Sequence, residues 1–195
     1  MAVPSPHIRI LVFAILGAVS GIVGAVTWPF MVVPGVFYGT AADGGISLGP
    51  AIWFAVALGA GIYTMVTQRI TAVAAMMAAV VLGWWIAVEA AGYPAVSLDN
   101  TFVGVLHWLA CGLIGAAVLA VTGALVGLYD RSMRNIAEIA IVGMLVVLVS
   151  LWVPQTHFWL LLTTWQAAVS AAIAHAIVRS RQVTGHARAL DAAAS

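Results

Sequence analysis

The chain has 195 residues, 64% of them hydrophobic and only 7% charged, with a mean hydropathy of +1.13. A soluble domain carries about 25% charged residues to build its polar shell, so this composition excludes a water-soluble globule and requires a surface that faces lipid. The net charge of +1 leaves no basic face for nucleic acid, and the absence of any lysine excludes Schiff-base chemistry and a P-loop. Cys111 stands alone, which rules out an internal disulfide or a thiolate cage and leaves a small hydrophobe.

Six apolar stretches are long enough to cross a bilayer, which takes about 20 residues at 1.5 Å each. The expected fold is an all-α membrane protein, a six-transmembrane-helix bundle in one domain over residues 1–178. Its helices are expected at about 8–27, 51–67, 71–91, 102–128, 136–153 and 157–178, with a short cytoplasmic tail at 179–195.

The first stretch could also be read as a secretory signal, with Arg9 ahead of an apolar core. That core is too long for a signal, so a retained helix is expected. It ends at Trp28-Pro29, and the segment from Trp28 to Gly39 follows. This segment is too apolar for an ordinary solvated loop and too broken by Pro and Gly to be helical. It is expected to lie across the outer face of the bundle, with Trp28, Phe30, Phe37 and Tyr38 as a lid. Thr40 through Ser47 reads as a polar turn.

Gln68-Arg69 turns the second helix into the third, and Gly92 through Asn100 forms the next connection. Asp130 through Asn135 separates helices four and five, and Pro154-Gln155-Thr156 separates five and six. With the N-terminus inside, all seven arginines (9, 69, 131, 134, 179, 181 and 188) fall on the cytoplasmic side and none on the other. The positive-inside rule therefore expects both termini in the cytoplasm of a bacterial-type inner membrane.

Small residues mark the packing faces. Helix one carries Ala14, Gly17, Ala18, Gly21 and Gly24, and helix four carries Gly112, Ala116, Ala120 and Ala124. Such rows let backbones approach closely within one bundle. The alternative is that the helix-one row docks a second membrane subunit.

All eight tryptophans are expected in the outer half. Indoles favour the interface, which gives an aromatic belt, but a belt should populate both sides. The other reading is an outward cavity lined by flat rings suited to heteroaromatic or cationic solutes. Its lining candidates are Trp84, Trp85, Glu89, His107, Trp108, Trp159 and Trp165. Glu89 stands out because a carboxylate near membrane depth is a functional candidate by default. His107 shares a helix face with Cys111 but lacks the further donors a metal needs. Asp43, Asp99 and His157 belong to the same side. No catalytic set, metal centre or cofactor is expected.

Helix count, termini, the long first outer loop and the Ala14/Ala18 row with Gly17 and Gly21 together resemble the substrate-binding subunits of energy-coupling-factor vitamin transporters. The resemblance implies that the helix-one row docks on a transmembrane coupling subunit. It also implies that the first outer loop lids a vitamin site built from helices four to six. The expected function is small-solute binding or transport, with lipid, a solute and a second membrane subunit as partners. Alternatives are a non-catalytic assembly subunit that packs through its glycine rows, and a metal-dependent membrane enzyme using His107, His157 and Glu89.

Overall fold

The computed structural model describes residues 5–28, 32–33, 45–92, 102–150 and 158–194, which are mostly helical. Among these the chain runs α1 (Pro6–Val26), β1 (Val32–Val33), β2 (Ile46–Ser47), α2 (Gly49–Met65) and α3 (Ile70–Ala87). It continues through a π turn (Val88–Gly92) to α4 (Phe102–Leu125), α5 (Met133–Ser150) and α6 (Phe158–Ala194). Four helical stretches are long and apolar enough to cross a membrane: Pro6–Val26, Ile70–Ala91, Phe102–Leu125 and Trp159–Thr184. α2 is apolar but shorter.

Local chemistry sets the helix ends. Pro6 opens α1 behind Ser5, whose hydroxyl accepts from the Ile8 amide. At the other end the Thr27 hydroxyl donates back to the Val23 carbonyl at 2.9 Å. α4 stops at Leu125 rather than running to 128. Gly127 takes a left-handed φ of 73°, and Leu128 and Gly127 donate to the carbonyls of Gly123 and Ala124. That is a Schellman cap, in which glycine accommodates the reversal of the chain. α5 starts at Met133, earlier than 136, because the Ser132 hydroxyl accepts from the Asn135 amide and caps the first turn. The expected tail is a direct continuation of α6, which runs unbroken for 37 residues to Ala194.

Each helix packs on its neighbours in the chain, and α6 returns to α1 to close the ring; the α1–α6 contact is the most extensive of all. Side-chain size is inverted relative to a soluble helix. On α1 the buried positions are Phe13, Gly17, Ser20, Gly21 and Gly24, whereas Ile8, Leu11, Ile15, Val19, Ile22 and Val26 form an exposed stripe. A continuous stripe of large aliphatics facing outward is stable in lipid and unfavourable in water.

The small inner residues allow backbone-to-backbone contact. A Cβ added at Gly21 would sit 2.5 Å from the Cα of Thr163 on α6, and one at Gly17 would fall on the carbonyl of Gln166. Gly24 meets Pro50 of α2 in the same way. The helix-one glycines are thus occupied inside the chain, while Ala14 and Ala18 remain half-buried. On the far side of the ring, Gly112 of α4 meets the Gly143 carbonyl of α5.

Two polar networks tie the ring together. In the first, the hydroxyl of Ser20 on α1 donates to Gln166 Oε1 at 2.7 Å, and Gln166 Nε2 donates to the Pro50 carbonyl of α2 at 3.2 Å. The second lies where the 126–132 connection meets α6. There the Asn135 amide donates to Asp130 and its carbonyl oxygen accepts from Arg179. The Ser180 hydroxyl donates to Asp130 Oδ1 at 3.1 Å, and Arg179 pairs with Glu138 at 2.7 Å. Tyr129 donates its hydroxyl to the Ala120 carbonyl at 2.7 Å, and burial pushes its phenol pKa up.

Arg69 reaches the Val126 carbonyl at 3.0 Å, and Arg181 reaches that of Val66 at 2.7 Å. The 66–69 connection, the 126–132 connection and the Arg181 turn of α6 therefore share one end of the bundle.

Candidate functional site

At the opposite end, the returning arm of the first connection is tucked into the bundle. β1 and β2 pair antiparallel, with Val32 opposite Ser47 and Val33 opposite Ile46. Gly45, with φ 86°, turns the chain where any side chain would strike the Val33 carbonyl. Ile46 and Ser47 are both buried. The Ser47 carbonyl accepts from the Trp84 indole Nε1 at 2.9 Å, which anchors the arm to α3. The rings of Trp28 and Trp84 meet edge to face, with centroids 6.0 Å apart at 78°.

This end also holds the buried hydroxyl of Ser47, which has no hydrogen-bond partner among the described residues. Buried polar groups are otherwise almost always paired, so this oxygen is unused hydrogen-bonding capacity beside two indoles. One turn beyond Trp85, Glu89 is only 7% exposed. It lies in the π turn, where the α-helical ladder of α3 widens. Such single-turn π segments recur at functional sites, because an inserted residue re-aims the neighbouring side chains. Trp85 is half-buried on the same helix.

The other expected lining residues stand on α4 and α6. Trp165 is a strut near the middle of the ring. Its Nε1 donates to the Gly143 carbonyl of α5 at 3.0 Å, its ring meets Phe54 of α2 edge to face at 5.9 Å, and its far edge rests on Gly115 of α4. Gly115 and Gly143 are near the centres of their helices, so Trp165 packs deeper in the bundle than Trp28 and Trp84. Trp159 is the second residue of α6 and is 46% exposed. His107 points Nδ1 at the Val103 carbonyl of its own helix, 2.8 Å away, and Trp108 is half-buried beside it. Cys111 is half-buried one turn further on.

Of the expected lid, Trp28 is described, whereas Phe30, Phe37 and Tyr38 lie outside the described residues, as do Asp43, Asp99 and His157. Among the described residues no group of three His, Cys, Asp or Glu converges as a metal would need. The residue that sequence reasoning missed is Ser47, which looked like part of a solvated turn. Its one signal was position, two residues before α2 opens at Gly49-Pro50.

Compared with family models, with curated proteins and with solved structures, the chain matches none.

Proposed function

We propose that the chain is a six-span inner-membrane protein with cytoplasmic termini that binds a small heteroaromatic, vitamin-like solute at its outer end beneath the first connection. The observation that carries this reading is the buried Ser47 hydroxyl, without a hydrogen-bond partner among the described residues, beside the Trp28–Trp84 pair. Flat rings provide stacking surface, and a lone hydroxyl provides directional recognition. Buried Glu89, one turn from Trp85, supplies a carboxylate for a cationic or hydrogen-bond-donating group on the solute. The orientation is supported by Arg69, Arg131, Arg134, Arg179 and Arg181, all on or beside the connections at the other end. An assembly subunit using the helix-one row would have to dock through Ala14 and Ala18, since Gly17, Gly21 and Gly24 are buried against α6 and α2.

The test is tryptophan fluorescence of the detergent-purified protein, titrated with a panel of vitamins and small heteroaromatic solutes. Saturable quenching that weakens at least tenfold in Ser47→Ala and Glu89→Gln is expected. A flat response across the panel, or equal affinity in both variants, would overturn the proposal.

A further inference from the structure

The charges of the chain are divided between the two ends of the bundle. Arg9 lies on the first turn of α1 and Arg69 on the 66–69 connection. Arg131 precedes α5, Arg134 lies on its first turn, and Arg179 and Arg181 stand where α6 meets these connections. Arg188 follows on the continuation of α6. With no lysine in the chain, these seven residues are its entire stock of permanent positive side-chain charge. Of the six acidic residues, Asp130, Glu138 and Asp191 belong to the same end.

The solute end has the other three and neither lysine nor arginine. Asp43 and Asp99 belong, by sequence, to the connections that join α1 to α2 and α3 to α4. Glu89 follows Trp84 and Trp85 in the π turn and is 7% exposed. Helix dipoles do not offset this bias. Among the described helices α1, α3 and α5 end there while α2, α4 and α6 begin there, so positive and negative termini balance.

This division decides which charge the site accepts. Proteins hold a carboxylate or phosphate most strongly through charge-assisted hydrogen bonds from arginine or lysine, and this end offers neither. An anion entering it would give up its water to meet carboxylates, in a medium where like charges repel far more than in bulk water. A cation gains on both counts. Glu89 supplies an opposite charge already withdrawn from solvent. The indole rings of Trp28 and Trp84 attract positive charge through their quadrupoles. The oxygen of the Ser47 hydroxyl is an acceptor for an N–H of the solute.

We propose, resting on the reading of this end as a solute site, that the solute is a heteroaromatic cation and that anionic solutes of similar size are refused. Its positive charge is on the ring or directly beside it. Glu89 is the charge partner, the indoles hold the ring, and the absence of any arginine or lysine at this end excludes carboxylate-bearing and phosphate-bearing competitors. Selectivity of this kind comes as much from the missing counter-charge as from the groups present.

The test is a fluorescence titration of the full-length protein in neutral detergent near neutral pH, with the wider panel extended by six probes grouped by charge. Thiamine and pyridoxamine are the cations, nicotinamide and pyridoxine the neutral rings, and nicotinate and 4-pyridoxate the anions. Pyridoxamine, pyridoxine and 4-pyridoxate share one ring, so they compare charge at nearly constant shape. The tightest saturable binder is expected to be a cation, with the anions weaker by roughly a hundredfold or more. Glu89→Gln should weaken that cation by about tenfold or more and the neutral probes far less. A tightest binder that is neutral or anionic would overturn the charge assignment and leave the solute site standing. So would equal weakening of cationic and neutral probes by Glu89→Gln. A flat response to all six and to the wider panel would remove the solute site, and the charge assignment with it. If Glu89→Gln does not fold, the ranking by charge on the unaltered protein decides the question alone.

Discussion

Ser20 and Gln166, 146 positions apart, share a hydrogen bond of 2.7 Å in the interior of the ring. Gln166 is 1% exposed and Ser20 4%, and the glutamine amide also holds the Pro50 carbonyl. One polar side chain therefore ties α6 to both α1 and α2. Gln166→Leu should destabilise the protein by about 1–3 kcal/mol, because it removes two cross-helix hydrogen bonds at once, to the Ser20 hydroxyl and to the Pro50 carbonyl. Ser20→Ala should lose about 0.6–1.5 kcal/mol, the usual range for an interhelical bond in a membrane. Reversible unfolding in mixed detergent micelles measures both, and an equal or reversed order would contradict the central role of Gln166.

Glycines of the ring should differ sharply in their tolerance of a methyl group. Gly17→Ala would drive a Cβ into the Gln166 backbone, which cannot move without separating α1 from α6. Overpacking of that kind costs about 1–3 kcal/mol. Gly59→Ala crowds the flexible thioether of Met77 and makes ordinary contact with Val73, and Met adapts readily to a changed shape. That substitution should stay within about 1 kcal/mol. The same unfolding assay compares the two.

The polar network around Asp130 should divide along burial. Arg134→Ala removes an exposed ion pair to Glu138 and should change stability by no more than about 0.5 kcal/mol. Asn135→Ala, at a position 1% exposed, leaves Asp130 and Arg179 without a shared partner. About 1–3 kcal/mol is expected there. A larger loss in Arg134→Ala would mean that the exposed charge, and not the buried amide, holds the connection to α6.

Two tryptophans should respond differently to a bound solute. Trp165→Phe removes the strut among Phe54, Gly115 and Gly143. It should lower stability while leaving the half-saturating solute concentration unchanged. Trp84→Phe loses the anchor to the Ser47 carbonyl and should weaken solute binding several-fold. Fluorescence titration paired with an unfolding curve for each variant separates the outcomes.

Much of the architecture was legible because lipid leaves strong marks on a sequence. Long apolar stretches gave the helices, and the small residues at 17, 21 and 24 gave the inner face of α1. Helix ends were less legible where backbone chemistry decided them. The Gly127 cap and the Ser132 cap each moved a boundary into what hydropathy alone assigned to the other state. At the candidate site, Trp84, Trp85 and Glu89 were visible as aromatic and acidic residues near a helix end. Periodicity could not distinguish Trp165 as a strut, since an indole that donates across a bundle reads the same as one that lines a cavity. Ser47 was not legible at all. A serine in a turn-like segment becomes buried only because Trp84 captures its carbonyl from another helix.

The closed ring also bears on how the chain is made. The helix with which α1 makes its broadest contact is α6, which is synthesised after the other described helices. Until residues near 163–166 are made, the grooves at Gly17 and Gly21 lack the α6 backbone that fills them, and the Ser20 hydroxyl has only the Gly17 carbonyl of its own helix. During synthesis α1 must wait in lipid with an open, adhesive face, and ring closure is the step that removes it from competition with other helices. A chain arrested before α6 would leave that face of α1 open and primed to pair wrongly, so α6 acts as the chain's own internal chaperone.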